Sequence, residues 1–98
     1  GQRFLSVEPQ LEKIDLMAGV NDGTNLVLLD LVDWVINGGE SGHHKRPFDC
    51  DWARLIREDC KLKNTPFFFK QIDKILPIPD DLMIREFPKV YMNTNYKK

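Results

Sequence analysis

Apolar residues fall in three short runs, and each run predicts a β-strand. The first covers residues 3–8 and stops at Pro9, which has no N–H to offer for strand pairing. The second covers residues 33–37, at the end of a longer apolar stretch. The third covers residues 66–71, PFFFKQ, where three consecutive phenylalanines predict a strand that is buried on both faces. The alternative is that Phe67, Phe68 and Phe69 stack on nucleic-acid bases, but the buried strand is the preferred interpretation.

The apolar stretch over residues 26–36, LVLLDLVDWVI, has two possible structures, because its periodicity does not separate helix from strand. We predict a short helical or irregular piece around residues 28–31, followed by the strand over residues 33–37. The alternative is a hairpin in which residues 26–29 form a strand that pairs with residues 34–37.

The helical spacing of apolar residues predicts one helix, over residues 51–63. Asp49 or Asp51 would cap its start, and Pro66 prevents its continuation. Four residues form the expected buried side: Trp52, Leu55, Ile56 and Cys60. The expected exposed side is charged: Arg54, Arg57, Glu58 and Lys61. Residues 33–71 therefore spell a βαβ crossover, and the predicted class is α/β with a small parallel sheet.

The end of the chain has a different pattern from the rest. Residues 76–91 contain spaced prolines, an acidic helix start at Asp80 and Asp81, and several apolar side chains. We expect one short helical turn or an extended arm that packs back on the domain, and we expect residues 92–98 to be frayed. The 98 residues together are expected to form a single small domain, residues 1–98.

Charge is uneven along the chain, although the net charge is only -1. Residues 1–40 carry 2 basic and 7 acidic side chains, whereas residues 41–74 carry 8 basic and 5 acidic ones. The small net charge gives no overall attraction to nucleic acid or to an acidic membrane, although the basic bias leaves a nucleic-acid partner open. No apolar run approaches the roughly 18 residues of a membrane span and no signal peptide is visible, so we expect a cytoplasmic protein without a membrane partner.

The cysteines and histidines do not form a recognisable metal or redox motif. Cys50 and Cys60 lie on one predicted helix, more than about 13 Å apart along its axis, so we expect two reduced thiols. Cys50 lies beside the helix start, where a thiol pKa is often lowered, but a thiol at the edge of the core is the preferred interpretation. His43 and His44 are adjacent and their side chains would diverge, which favours an exposed loop and no metal site.

Polar residues follow each predicted strand. In parallel α/β folds, ligands bind at the carboxyl ends of the strands, so these residues would share one edge of the sheet. The alternative is that polar residues simply cap buried strands. The candidate ligand-binding residues are Glu8, Gly38, Gly39, Glu40, Ser41, Lys70 and Gln71.

The double glycine within this set has several possible uses. Glycine permits positive φ or the close approach of a ligand or another chain. A glycine-rich turn can also present N–H groups to an anion, but GGESG lacks the spacing of a phosphate loop. Glu40 opposes an anion and would better suit an ammonium or hydroxyl group. Ser41 and Cys50 are nucleophiles by type, but no spacing specifies a triad, so no catalytic residue is assigned.

Five segments in consistent order carry a resemblance to a known family: RFLSVEP, DWVINGGESG, RPFDCDWARLIREDC, TPFFFKQ and LMIREFPKV. Over about residues 3–91 the chain resembles the C-terminal part of the phage gene product 37/68 family, whose function is not established. Longer members of that family are similar to radical S-adenosylmethionine barrel enzymes and carry a cysteine-rich segment in their N-terminal portion.

The resemblance implies that the predicted strands are the late strands of a partial (β/α) barrel. It also implies that an iron–sulfur cluster and S-adenosylmethionine belong to the N-terminal portion of the longer proteins, so no cofactor is expected in this chain. The radical enzymes use a Gly-Gly-Glu turn near the methionine moiety, which Gly38, Gly39 and Glu40 look like. This turn falls in the late half of the barrel here, so that role is not carried over.

Three functions are compatible with these observations. The first is the C-terminal part of a radical-type barrel enzyme, inactive alone, with substrate-side residues at the strand ends. The second is a non-enzymatic binding or assembly module, because a three-stranded sheet leaves edges and apolar faces uncovered. The third is a nucleic-acid accessory, which we rank last. We expect a homo-oligomer or a missing N-terminal portion to complete the domain.

Overall fold

The computed structural model describes residues 3–20, 23–40, 46–73 and 76–88. Within those residues the chain forms three strands, one α-helix and two short 3-10 helices. The strands are β1 (Phe4–Val7), β2 (Trp34–Asn37) and β3 (Phe67–Phe69), and the α-helix is α1 (Cys50–Leu62). The 3-10 helices are Leu28–Leu31 and Asp80–Leu82. Residues 92–98, Ser41, His43 and His44 lie outside the described residues.

The three strands form one parallel sheet in the order β1-β2-β3. Val35 in β2 lies opposite Leu5 in β1 and Phe67 in β3, which sets the register of the whole sheet. The helix α1 connects β2 to β3. The predicted α/β class, the parallel sheet and the βαβ crossover are therefore confirmed.

The stretch before β2 follows the preferred prediction, and the hairpin alternative is wrong. Val27 makes only an isolated antiparallel bridge, to Gly19, and the chain then turns into the 3-10 helix Leu28–Leu31. The Val27 N–H donates to Asp30 Oδ2 at 2.8 Å, and this local bond competes with strand pairing. Both edges of β2 are already taken by β1 and β3, so no edge remains for residues 26–29.

The ends of α1 are set by local hydrogen bonds. The Asp51 N–H donates to Asp49 Oδ1 at 2.9 Å, so Asp49 is the N-terminal cap. Just past the other end, Asn64 has a φ of 54°, a left-handed conformation that commonly ends helices. The helix therefore begins and ends within one residue of the predicted bounds.

One face of the sheet packs against α1 and forms the core. Its buried apolar residues include Val7, Val35, Phe67 and Phe69 from the strands and Ala53, Ile56 and Cys60 from the helix. The three helix residues are spaced by three and four positions, so they form one stripe. Leu55 lies about 100° around the helix from Ile56, and it is exposed. The predicted burial of Leu55 is therefore wrong, and Ala53 contributes to the core instead.

No helix of the described residues covers the opposite face of the sheet, which we call the open face. Alternation along the strands places five side chains there: Phe4, Ser6, Trp34, Ile36 and Phe68. Phe4 is 62% exposed, and Trp34, Ile36 and Phe68 are half-buried. On this side the described chain adds single side chains, those of Phe87 and Arg85, instead of a helix. The prediction that the third strand is buried on both faces is therefore wrong for Phe68.

The end of the described chain packs back on the domain as an extended arm, as predicted. The Phe69 N–H donates to the Ile84 carbonyl at 2.8 Å, and the Glu86 N–H donates to the Phe67 carbonyl at 3.0 Å. Residues 84–86 therefore lie antiparallel to β3 along its outer edge. Before this arm, the 3-10 helix Asp80–Leu82 places Leu82 in the core.

Asp81 joins this arm to α1. Its carboxylate accepts a hydrogen bond from Arg54 Nε at 2.8 Å and another from Arg57 Nη1 at 2.7 Å. The hydrogen bond from Arg54, and then that from Arg57, lowers the pKa of Asp81 from 3.8 to about 2. The ion pairs are therefore formed by an ionised carboxylate throughout the neutral range.

We expect the free energy of unfolding to fall as the pH drops from about 4 to about 2. Because folding lowers the pKa of Asp81, its pairing stabilises the fold fully above the unfolded pKa and is lost as pH falls through the folded pKa. Asp81→Asn should lower stability at pH 7 and flatten part of this dependence in urea unfolding. Asp80→Asn is the matched control, because the Asp80 side chain makes no ion pair in the described chain. An unchanged pH dependence in Asp81→Asn would contradict this role.

Candidate functional site

Glu8 and Lys70 meet at the carboxyl edge of the sheet, although β2 lies between their strands. Lys70 Nζ lies 3.5 Å from Glu8 Oε2, and the Ser6 hydroxyl donates to Glu8 Oε1 at 3.5 Å. Gly38 follows β2 between them, and a Cβ placed on it would lie 3.5 Å from the Cβ of Lys70. The two charged groups therefore meet on the open face across a residue that has no side chain. We call Glu8, Gly38 and Lys70 the rim.

The Glu8 carboxylate is enclosed but loosely held. Its side chain is 22% exposed, whereas that of Lys70 is 53% exposed. Asp30 and Glu40 are buried to a similar degree, and each accepts a hydrogen bond of 2.8 Å. Both contacts of Glu8 are 3.5 Å long, the outer limit of a hydrogen bond. Its oxygens therefore retain capacity for a further donor.

The N–H groups of the double glycine are both used inside the protein. The Gly38 N–H donates to the Val7 carbonyl at 3.2 Å, and the Gly39 N–H donates to the Gln71 carbonyl at 2.8 Å. Neither glycine has a left-handed φ, but a Cβ on Gly39 would overlap the Ile72 carbonyl oxygen. The two glycines allow two chain segments to pass closely. Neither of these two N–H groups is therefore available to an anion.

Gln71 and Glu40 close the turn that follows β2. Gln71 Nε2 donates to the Gly39 carbonyl at 3.2 Å. Glu40 accepts hydrogen bonds from the Arg46 backbone N–H at 2.8 Å and from two side-chain nitrogens of Arg46 at 2.9 and 2.8 Å. The side chain of Arg46, and then its N–H, lowers the pKa of Glu40 to about 2. The cationic partner of Glu40 is therefore Arg46 of this chain. Ser41, the other candidate in this turn, lies outside the described residues.

The sequence did not predict two buried polar residues beneath the rim, Asn37 and Gln10. Asn37 Nδ2 donates to the Val7 carbonyl at 3.0 Å and to Gln10 Oε1 at 2.7 Å. The Gln10 N–H donates to the Gly38 carbonyl at 2.9 Å. These bonds tie the chain on both sides of Glu8 to β2. Asn37 could have been found from the sequence, because it is a polar residue at a core-facing position of the strand WVIN. A buried amide requires hydrogen-bond partners, which points to a second polar residue nearby.

The described residues do not fit an iron–sulfur cluster. No group of three or more His, Cys, Asp or Glu side chains among them could hold a metal ion. Cys50 and Cys60 are free, and burial raises the pKa of the Cys60 thiol to about 12. Burial also raises the pKa of Cys50, so its place at the start of α1 does not activate it. Because no third ligand lies with them among the described residues, these two cysteines do not form a cluster site.

Most of the basic side chains of residues 41–74 form ion pairs with carboxylates of the same chain. Arg46 pairs with Glu40, and Arg54 and Arg57 pair with Asp81. Lys63 also pairs, with Asp30 at 3.0 Å. The paired guanidinium groups are therefore already neutralised by carboxylates of the same chain.

A cavity of about 880 Å³ lies between α1 and the arm. Its lining includes Thr65, Pro66 and Phe67, which precede or begin β3. Lys70 follows the other end of the same strand. The cavity therefore lies at the amino edge of the sheet, away from the rim, where parallel α/β folds do not place their ligand sites.

Gly39→Ala should destabilise the fold by about 1–3 kcal/mol, because the new methyl group would overlap the Ile72 carbonyl oxygen and force the two segments apart. Gly19→Ala is the matched control, since a Cβ there meets nothing within 4 Å. Urea unfolding of both variants measures the difference. If Gly39→Ala were as stable as Gly19→Ala, the close passage would not constrain the turn.

Comparison with known proteins identifies a family but no activity. No curated protein and no solved structure matches the chain. Among the described residues, no helix has both the length and the apolar character needed to cross a membrane. A family of proteins of unknown function, DUF5131, matches residues 1–89. Since this match covers most of the sequence, the chain belongs to the DUF5131 family.

Proposed function

We propose that this chain is the substrate-side part of a (β/α)-barrel enzyme of the radical S-adenosylmethionine type, and that it is inactive by itself. In this proposal β1, β2 and β3 are adjacent late strands, with α1 outside the barrel and the open face turned inward. Because neither cysteine fits a cluster, we assign no step through a cluster or S-adenosylmethionine to these residues. Both groups would be held by a preceding portion of the barrel.

One observation carries the proposal: Glu8 and Lys70 pair across Gly38 at the carboxyl edge of a parallel sheet. They lie on the face opposite α1, together with Ser6. Enzymes with parallel β/α barrels bind substrate at this edge, with groups contributed by several strands. The rim contributes one group of each charge, from the two outer strands.

The rim is suited to exchange its internal pair for a ligand. An ion pair of 3.5 Å with one partner half exposed contributes little to stability, so opening it costs little. Once opened, Glu8 accepts a donor such as an amine or hydroxyl group, and Lys70 donates to a carbonyl or an anion. The Glu40–Arg46 pair is bidentate and shorter, so we assign it to the turn and not to substrate.

A ligand screen on the chain tests this assignment. NMR spectra recorded with a library of small polar metabolites should show binding that shifts the amide signals of Ser6, Gly38 and Gln71. Lys70→Met should weaken that binding at least about tenfold, because a hydrogen bond to a charged group is lost. Lys61→Met is the matched control, since Lys61 lines the cavity at the other edge.

Binding that depends on Lys61 but not on Lys70 would move the site to the cavity and overturn the assignment. So would a screen in which no metabolite shifts the signals near the rim.

A second candidate function is assembly through the open face. Phe4 is 62% exposed and Phe87 is 41% exposed, and both rings contact Trp34. A connected apolar surface of this kind is commonly buried against a partner. In this alternative a second copy of the chain covers the face, and the rim has no ligand.

Light scattering across a concentration series tests assembly. If the alternative holds, the wild-type chain should be a dimer or larger, and Phe4→Ser should shift it toward the monomer. Leu62→Ser is the matched control, because Leu62 is more exposed than Phe4 but lies on α1, on the other side of the sheet. A monomer at every concentration would exclude assembly through this face.

A further inference from the structure

We infer that the open face binds the flat ring of an amino-substituted heterocycle, such as a nucleobase, stacked beside Phe68 with its amino group on Glu8. This inference rests on the proposed function and names the substrate class of the same site. Three features of the face support it: the order of its rows, the exposed ring surface, and the arrangement of donors and acceptors at the rim.

The side chains on the open face change from aromatic to charged along the strand direction. Its lowest row is aromatic: Phe4, Trp34 and Phe87, with Trp34 6.2 Å from Phe4 and 5.6 Å from Phe87 between ring centroids. The middle row crosses the sheet in register: Ser6, Ile36, Phe68 and Arg85. The top row is the rim. Successive rows are roughly 7 Å apart, two residues along a strand, so a single ring can rest on the middle row and reach the rim.

Neighbouring rings hold the Phe68 ring in place, and the Arg85 guanidinium lies over it. Trp34 and Phe87 meet Phe68 in edge-on arrangements, at 6.3 and 5.6 Å between centroids. Trp34 is fixed in turn by its Nε1–H, which donates to the Glu86 carbonyl at 2.9 Å. The Arg85 guanidinium lies 5.1 Å from the Phe68 centroid. The Arg85 side chain is exposed, and its hydrogen bond to the Lys70 carbonyl is 3.5 Å long, so a flat heterocycle can displace it and take its place against the Phe68 ring.

The polar groups around this ring position favour one order of donors and acceptors in the ligand. Glu8 accepts hydrogen bonds only, whereas Lys70 and Arg85 donate only. A ring with an amino group beside acceptor atoms, as in cytosine, would place its amino group on Glu8 and its acceptors toward the two cations. Uracil has a carbonyl in place of that amino group, so its oxygen would face the Glu8 carboxylate.

Gly38 provides the space that this arrangement needs. It lies directly above Ile36 in β2 and carries no side chain between Glu8 and Lys70. A ring resting on Ile36 can therefore extend up to the rim without meeting a side chain of β2. A Cβ at this position would also lie 3.2 Å from the Gln71 carbonyl oxygen, which would crowd the rim from the other side.

The test compares cytidine and uridine as probes by NMR titration of the 98-residue chain. Wild type should bind cytidine at least about tenfold more tightly than uridine, because a hydrogen bond to the carboxylate is replaced by a repulsion. Glu8→Gln should remove most of this preference, since an amide both donates and accepts. Phe68→Leu should weaken both nucleosides by a similar factor and leave their ratio unchanged. Glu58→Gln, an exposed change on α1, is the matched control.

Equal binding of the two nucleosides by wild type, or an unchanged ratio in Glu8→Gln, would overturn the inference. If other metabolites bind the rim and cytidine does not, only this substrate class is wrong and the proposed function stands. If nothing binds the rim, both fail. A dimer that buries Phe68 would overturn the inference in favour of assembly.

Discussion

The close passage of two chain segments at the carboxyl edge of the sheet is the constraint on which the rim depends. Gly39 lies so close to the Ile72 carbonyl that a Cβ would overlap it, and the Gly39 N–H donates to Gln71 at 2.8 Å. This contact continues the pairing of β2 with the chain that follows β3. It therefore fixes the position of Lys70 along the strand direction relative to β2, and with it the distance between Lys70 and Glu8.

The sheet has two unlike faces because the described chain has one α-helix to cover it. The face against α1 holds the buried apolar core and, at its upper end, the amides of Asn37 and Gln10. Those amides hold the chain on both sides of Glu8, so the buried face supports the group that the open face presents. The open face carries aromatic rings below and charges above, an arrangement suited to a ligand that is flat and polar at one edge.

The ion pair at the rim is longer than those that hold the turn and the arm. Arg46 with Glu40 and Arg54 and Arg57 with Asp81 have contacts of 2.7 to 2.9 Å, and they fasten a turn and an arm. The Glu8–Lys70 pair is 3.5 Å long. A structural ion pair gains from short, multiple bonds, whereas a pair that must open for a ligand gains from weak ones.

The sequence by itself determined the elements, their order and the parallel pairing, because these follow from local patterns: the apolar runs, the helical spacing of residues 52–60, and Pro9 and Pro66 as terminators. It also indicated which residues come to the carboxyl edge. Only the tertiary structure decided their roles, because a role depends on partners that are distant in the chain. Glu40 is paired with Arg46, Gly39 passes too close to Ile72 to carry a side chain, and Glu8 meets Lys70, 62 positions away, across Gly38. The local pattern also could not predict that Phe68 is partly exposed, because three consecutive phenylalanines do not indicate which face of the strand a helix covers.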